Sequence, residues 1–358
     1  MAYAMRAVYF DFASGGSYTA AEWLINYGGG FVRRGLAGQL ILTLAPPGAP
    51  SLQFLWLIVA CCYLILLVTF LWWLLRSDWT WWSIAVACSP AALPFIAWDW
   101  QGAFRKEIVV LTALALLVLH GTRRKGSPGA VFTLSAGVLA YGFAILVWEP
   151  SVVALPAVIY MLGDKLVLPL RPHWYLLARA SVASLTFAGV AASMAARGDA
   201  ATVAAIYRAI DEHGLLKTGF TRLPIELLQL TNAQAVAGVV ASGPINVLYL
   251  PLALLSLLPI VTSCWFRRDL RWVVACLLFS VPLFVVGLDY GRWIHLVVMQ
   301  LSLMLIAARV PERNSSGWRL GHTLLFVSAW GLPHWGSFTA SMRWFGAFGT
   351  LAQIVLGG

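Results

Sequence analysis

SLQFLWLIVACCYLILLVTFLWWLL, residues 51–75, decides the fold, because it runs for 25 positions without a charged side chain. About 20 apolar residues in a helix are enough to cross the hydrocarbon core of a bilayer. The rest of the chain has the same character: 61% of its 358 residues are hydrophobic and 11% are charged. Soluble domains contain roughly 25% charged residues. The sequence therefore predicts an integral membrane protein.

Further apolar windows of spanning length follow along the chain. They lie at 80–97, 107–121, 129–148, 150–170, 177–196, 244–266, 271–288 and 293–309, with a weaker region at 322–357. These windows predict an all-α, polytopic transmembrane bundle of about 9–11 spans. We expect one integral membrane domain over residues 1–358. The N-terminal stretch 1–16 is too short to span and too polar for a signal peptide.

The segment 197–243 is the largest polar part of the chain. Its first half, AATVAAIYRAIDEHG, has apolar residues at helical spacing and a glycine, Gly214, at its end. Pro224 is suited to open a second helix. We predict an extracytoplasmic loop with two short amphipathic helices that cover a cavity. A plain connector is the alternative.

Basic residues in the loops set the predicted orientation. With the windows above, four basic clusters fall on one side, which the positive-inside rule makes cytoplasmic. The clusters are 123–125, 267–271, 309–319 and 165–179. Topology therefore accounts for the formal charge of +10, and no nucleic-acid partner is expected. The unusual polar motifs all fall on the opposite side.

NYGGGFVRRGLAG, residues 26–38, is the first of these outer motifs. As topology signals, Arg33 and Arg34 would oppose the orientation that the other clusters give. Glycines let backbone approach a ligand closely, and guanidinium groups suit phosphate. A pyrophosphate site is one interpretation. The other is that both arginines extend to lipid headgroups.

Three more outer motifs carry ionisable groups. WDWQGAFRKE at 98–107 holds Asp99 and Arg105, which form either part of a site or an interfacial ion-pair cluster. WEP at 148–150 holds Glu149, which is either a general base or a cap of the next helix.

DYGRWIH at 289–295 is the most site-like motif. It places Asp289 and Arg292 at i,i+3 spacing, where they share a face if the segment is helical, with His295 one turn further on. A structural ion pair is the alternative. Taking the motifs together, we predict catalytic roles for the carboxylates and substrate binding for the basic groups. The predicted set is Asp99, Glu149 and Asp289 as catalytic residues, with Arg33, Arg34, Arg105, Arg292 and His295 as binding residues.

Motifs for other chemistries are missing from the sequence. It contains no Walker A motif, no HExxH and no Cys/His metal set, and its five cysteines lie in apolar runs without ligand spacing. We expect neither a metal nor an organic cofactor, although Asp99, Glu149 and Asp289 are of the type that binds metal ions.

The chain resembles the polytopic polymerases of bacterial O-antigen and exopolysaccharide pathways. The resemblance rests on NYGGGFVRRGLAG, on FRKE at 104–107 and on GLDYGRWIH at 287–295, within about ten spans. It implies joining of undecaprenyl-pyrophosphate-linked sugar units at the periplasmic face of the inner membrane. It also implies that Arg33, Arg34, Arg105 and Arg292 hold pyrophosphate.

The wider GT-C glycosyltransferase group has a similar layout and uses an acidic base in an early outer loop. Asp99 corresponds to that base here, with Asp11 as a weaker choice. The missing span before residue 17 departs from both patterns.

The resemblance also implies particular partners. They are a lipid-linked oligosaccharide, membrane lipids and other proteins of polysaccharide assembly. Two alternatives stay open at this point. A flippase of the same pathway would need charges along the depth of its spans, and 51–75, 129–147 and 244–266 contain none. A non-enzymatic membrane scaffold would use the outer charges only as anchors.

Overall fold

A computed structural model describes residues 18–77, 79–99, 102, 104–121, 127–163, 172–216, 220–241, 249–309, 317–333 and 347. Within these ranges the secondary structure is entirely helical, with turns between the helices and no strand. The α-helices are α1 Tyr18–Trp23, α2 Gly35–Leu44, α3 Ala49–Arg76, α4 Trp81–Ala87, α5 Phe95–Trp98, α6 Glu107–Gly121, α7 Pro128–Val147, α8 Leu155–Met161, α9 Pro172–Ala195, α10 Ala200–Glu212, α11 Leu223–Glu226, α12 Asn232–Ala241, α13 Tyr249–Val261, α14 Cys264–Arg268, α15 Leu270–Val286, α16 Tyr290–Ala308 and α17 Leu320–Ser328. Short 3-10 helices cover Glu149–Ala154 and Leu227–Gln229.

Four helices are long and apolar enough to cross a membrane. They are α3, α7, the Leu176–Ala195 part of α9, and α16. The all-α prediction is therefore confirmed for the described residues, and these four helices indicate a membrane protein. The count of 9–11 spans stays a prediction, because the helices described within the other windows are shorter.

Prolines and polar caps explain why several predicted windows are broken. The window 80–97 holds α4, a turn and α5, because Pro90 and Pro94 lack the N–H that a continuous helix needs. The window 244–266 is divided at Ser263, whose side chain accepts a hydrogen bond from Phe266 N and opens α14. Glu149–Ala154, which contains Pro150, is a 3-10 helix, so within the described part of the window 150–170 the α-helix begins only at Leu155.

α16 is the central helix, and nearly all of its residues are buried. α3 lies at the periphery, where Leu57, Leu64 and Leu71 share one exposed face at intervals of seven residues. Such an apolar stripe is the face that a helix presents to lipid. α6 and α7 form an antiparallel hairpin in which Gly137 packs directly on Leu117.

α6 and α16 run in the same direction. Glu107 and Arg292 form an ion pair near the N-terminal ends of the two helices. At the opposite ends, the guanidinium of Arg309 donates to the carbonyl of Gly121. The bundle therefore has two distinguishable ends, one at Glu107 and Arg292 and the other at Gly121 and Arg309.

The helix predicted within the segment 197–243 is present as α10. Its buried face consists of Val203, Ile206 and Ile210. Gly214 follows the end of α10 with φ 66°. Asp199 caps its start by accepting from Thr202 N at 2.7 Å. The second predicted helix is the short α11 with Pro224 in its first turn. The basic residues 123–125, 165 and 171, the stretch 1–16 and Asp11 lie outside the described residues.

Candidate functional site

The glycines of the 26–38 motif allow other parts of the chain to pack directly against the backbone of this motif. A Cβ on Gly28 would lie 3.0 Å from the carbonyl of Ala205, and one on Gly29 would lie 2.7 Å from Cα of Thr202, both in α10. A Cβ on Gly38, in the first turn of α2, would come closer still to the carbonyl of Ile25. The amphipathic helix α10 therefore lies directly on the Gly-rich loop. The described geometry gives these glycines a packing role, where the sequence favoured an approach to phosphate.

Arg34 is bound to Glu149 by a two-pronged ion pair. Its Nε donates to both carboxylate oxygens at 3.1 and 2.9 Å, and its Nη2 donates to Oε1 at 2.9 Å. Burial acts to raise the pKa of Glu149, but the charge and hydrogen bonds of Arg34 hold that pKa below its ordinary value. Glu149 lies in the first turn of its 3-10 helix, and its carboxylate is engaged by an arginine 115 residues away. Arg34 itself starts α2 in the left-handed conformation, with φ 66°.

Arg33 lies beside the same carboxylate. Its Nη1 is 3.9 Å from Glu149 Oε1, and its Nη2 donates to the carbonyls of Leu227 and Leu228 at 3.0 and 3.3 Å. Its Nε is buried and has no hydrogen-bond partner among the described residues. Burial lowers the pKa of Arg33, and the neighbouring Arg34 lowers it further. The structure thus brings Arg33, Arg34 and Glu149 together.

Arg105 pairs with Glu22, which lies outside the four sequence motifs. Arg105 Nη1 donates to Glu22 Oε2 at 2.7 Å, and both side chains are buried. The guanidinium also lies 4.1 Å from the centre of the Tyr18 ring. Burial acts to raise the pKa of Glu22, but the charges of Arg105 and Arg292 bring it down to about 2. A single carboxylate in an apolar stretch is the one sequence signal that marks Glu22.

Lys106 is fully buried next to this pair. Its Nζ donates to the backbone carbonyl of Arg34 at 2.8 Å. Burial lowers the pKa of Lys106 to about 7, although Glu22 and Glu149 act to raise it. The lysine therefore ties the 104–107 turn to the residue that holds Glu149.

Arg292 pairs with two carboxylates at once. It contacts Asp289, as the i,i+3 spacing predicted, and also Glu107 at the start of α6. The i,i+3 prediction is confirmed. Glu107 Oε2 and Arg292 Nε remain without a hydrogen-bond partner among the described residues.

Two other predicted residues lie close to this end of the bundle. His295 stacks on Phe95 with ring centres 4.3 Å apart, and its Nδ1 is 2.9 Å from the carbonyl of Ala91. Asp99 accepts a hydrogen bond from Gly102 N at 3.0 Å. Its charge and that of Asp289 both act on Tyr249, which places Asp99 on the Asp289 side of the cluster.

All these pairs belong to one cluster. The charges of Arg105, Arg292, Lys106 and Arg34 all act on Glu22. The stacked rings of Trp148 and Trp293, with centres 6.0 Å apart, join the Glu149 and Arg292 segments. The ion cluster comprises Arg33, Arg34, Arg105, Lys106, Arg292, Glu22, Glu107, Glu149 and Asp289. Arg33 and Arg34 are partly exposed and share the carboxylate of Glu149, so this part of the cluster favours an added anion.

The described residues contain no group of three or more His, Cys, Asp or Glu side chains placed to hold a metal ion. The carboxylates of the ion cluster are taken up by arginines. The chemistry that the cluster offers is therefore electrostatic: it can hold an anion, and its carboxylates can accept a proton once released from their partners.

Fold and site together define a helical membrane protein with a buried cluster of arginines and carboxylates at one end of its apolar bundle. A comparison of the chain with known protein families, with curated proteins and with solved structures finds no match.

Proposed function

We propose that this protein joins or transfers undecaprenyl-pyrophosphate-linked oligosaccharide units at the periplasmic face of the bacterial inner membrane. The observation that carries the proposal is the ion cluster at one end of an apolar helical bundle, with Arg33 and Arg34 as its partly exposed basic groups. A lipid-linked pyrophosphate needs this combination, because its tail lies in lipid while its headgroup carries concentrated negative charge. Arginine binds phosphate oxygens through paired N–H donors.

The reaction would use the cluster electrostatically. An acceptor hydroxyl gives its proton to a carboxylate, and its oxygen forms a bond to the anomeric carbon of the lipid-linked sugar. The bond from that carbon to the pyrophosphate oxygen breaks, and the electron pair leaves with the lipid pyrophosphate. Arg33 and Arg34, which are partly exposed, stabilise this leaving group. Arg105 and Arg292 stay in their buried ion pairs with Glu22 and Glu107.

Three carboxylates are available as the base in this proposal. Glu149 lies nearest to the exposed arginines, Asp289 is paired with Arg292, and Asp99 lies on the Asp289 side. The polytopic arrangement of 9–11 spans and the single domain of residues 1–358 belong to the same proposal. So do the partners, namely the lipid-linked oligosaccharide, membrane lipids and proteins of polysaccharide assembly.

The test is carried out in cells that make the polysaccharide. Arg34→Lys keeps the charge but loses the two-pronged contact, and Asp289→Asn removes a carboxylate. Both are expected to leave single lipid-linked units accumulating on the periplasmic side, with polymer reduced about tenfold or more, as when one charge-assisted contact to a transition state is lost. Arg208→Lys, on the exposed face of α10, is the matched control and should leave the polymer unchanged.

Two results would contradict this function. Normal polymer length in both variants would show that the ion cluster does not serve the transfer. Lipid-linked units trapped in the cytoplasmic leaflet would instead indicate a flippase.

A further inference from the structure

One edge of the ion cluster is open to a ligand. The side chains of Arg33 and Arg34 are 16% and 29% exposed, whereas those of Arg105 and Arg292 are 8% and 5% exposed. Arg197 is also exposed. It lies at the same edge, because Arg33 N donates to the carbonyl of the preceding residue, Ala196, at 2.9 Å. The charge of Arg197 acts on Arg33. These three arginines are therefore the basic groups that a ligand can reach at this edge, while the partly exposed Asp289 is paired with Arg292.

Glu149 occupies this edge in the way that a bound oxyanion would. Its two oxygens accept from Nε and Nη2 of Arg34, and one of them lies 3.9 Å from Arg33. Two oxygens of a phosphate group present the same planar pair of acceptors to a guanidinium. The carboxylate supplies one negative charge among three arginines. The buried Nε of Arg33 still lacks a partner among the described residues, so the edge has a donor left for a larger anion.

We propose that Arg33, Arg34 and Arg197 form a binding site for a phosphate or pyrophosphate group, and that Glu149 is the internal counter-ion that this ligand displaces from Arg34. The inference rests on the proposed function for the nature of its lipid ligand and deepens it by naming the site. A phosphate dianion carries more charge than a carboxylate and has oxygens for all three arginines. Glu149, once released, is a free carboxylate beside the bound phosphate.

Loss of the Glu149 charge is expected to strengthen the binding of pyrophosphate rather than weaken it. If Glu149 competes with the ligand, removing its charge frees Arg34, so Glu149→Gln should bind pyrophosphate about tenfold more tightly, as for one charge-assisted hydrogen bond. If Glu149 only held Arg34 in place, the same change would weaken binding. Glu149→Asp, which keeps the charge on a shorter side chain, is a second variant and should fall between wild type and Glu149→Gln.

The experiment is calorimetric titration of the purified full-length protein in detergent. Inorganic pyrophosphate and farnesyl pyrophosphate are the two probes. Arg197→Gln should bind both about tenfold more weakly, while Arg208→Gln, an equally exposed arginine on α10, should bind as wild type does. Because Arg197 is exposed, its variant is expected to fold, and the elution profile of each variant checks this.

The outcomes separate cleanly. Tighter binding of farnesyl pyrophosphate than of inorganic pyrophosphate supports a lipid headgroup as ligand, and equal binding supports a free anion at the same site. Weaker binding by Glu149→Gln, or unchanged binding by Arg197→Gln, overturns the site. If the site fails while Arg34→Lys still blocks polymer formation in cells, the proposed function stands and only this assignment falls. If both probes bind as expected but polymer is normal, the function falls and the site stands.

Discussion

Glu22 is the residue on which the charge balance of the ion cluster depends most. It pairs with Arg105 at 2.7 Å and faces the charges of Arg292, Lys106 and Arg34. Arg105, Arg292 and Lys106 are removed from water, so each of them needs a partner of opposite charge. Glu22 is the carboxylate that several of them share.

Replacement of Glu22 by glutamine is expected to destabilise the protein strongly. The change leaves Arg105 buried without its counter-ion, and breaking a buried pair from one side costs about 3–5 kcal/mol. The measurement is thermal unfolding of the purified protein in detergent. Glu212→Gln, at an exposed position at the end of α10, is the control and should change the unfolding temperature little. An equal effect of both changes would show that the pair contributes nothing.

The difference between wild type and Glu22→Gln should also depend on pH. The pKa of Glu22 is lowered from 4.5 to about 2 in the folded protein, because the charges of Arg105 and Arg292 outweigh the effect of burial. The unfolded chain therefore binds more protons between these values, and stability falls as the pH drops from 4.5 towards 2. Glu22→Gln lacks this component, so its deficit should shrink with acidification. A deficit that stays constant from pH 6 to 3 in thermal unfolding would refute the assignment.

At the residue scale, a contact between residues close in sequence can be predicted, whereas a contact between distant residues cannot. The Asp289–Arg292 pair was predicted because three residues in a helix place two side chains on one face. Arg34 and Glu149 were both selected as site residues, but their pairing across 115 positions depends on how α2 and α7 pack. Glu22 was missed because a lone carboxylate in a six-residue helix has no local pattern to mark it.

At the scale of elements, the close packing of α2 on the preceding chain holds Arg34 in place. Gly38 in α2 contacts the backbone of Ile25, and the space for a Cβ there is filled by the Ile25 carbonyl. Backbone cannot move aside as a flexible side chain can. α2 can therefore lie this close only because position 38 is glycine.

Gly38→Ala is expected to destabilise the protein by about 1–3 kcal/mol or more, because the added methyl overlaps backbone. Gly142→Ala is the matched control, since Gly142 is also within a helix and its Cβ would meet no atom within 4 Å. That change should be neutral or stabilising by up to about 1 kcal/mol, because alanine favours a helix. Thermal unfolding in detergent compares the two variants. Equal unfolding temperatures would show that α2 can shift without cost.

Helices with strong local signals were predicted well. α10 was expected from apolar residues at helical spacing and a terminal glycine, and both features are present. The window 80–97 was apolar enough for a span but contains two prolines that divide it into α4 and α5. Hydropathy measures how apolar a segment is, whereas the length of a helix depends on backbone hydrogen bonding. An apolar window and the helix within it therefore differ in length wherever prolines and caps occur.

At the scale of the whole molecule, the ion cluster occupies one end of the bundle. From Arg292 to Arg309, α16 rises roughly 26 Å at 1.5 Å per residue, close to the roughly 30 Å of a bilayer core. Arg309 contacts Gly121 at the far end, while α10 lies on the Gly-rich loop at the cluster end. The direction of the chain across the membrane therefore decides on which side the cluster acts.

Reporter fusions at two positions test this arrangement. A reporter placed after Arg124, which follows the Gly121 end of α6, should be active in the cytoplasm, where the basic loops are expected. A reporter placed after Asp211 in α10 should be active on the periplasmic side, because α10 lies at the cluster end. A paired set of fusions with enzymes active on only one side controls for expression. If both positions report the same side, the two ends of the bundle do not face opposite compartments. If the position after Asp211 reports the cytoplasm, the ion cluster cannot act on periplasmic lipid-linked sugars.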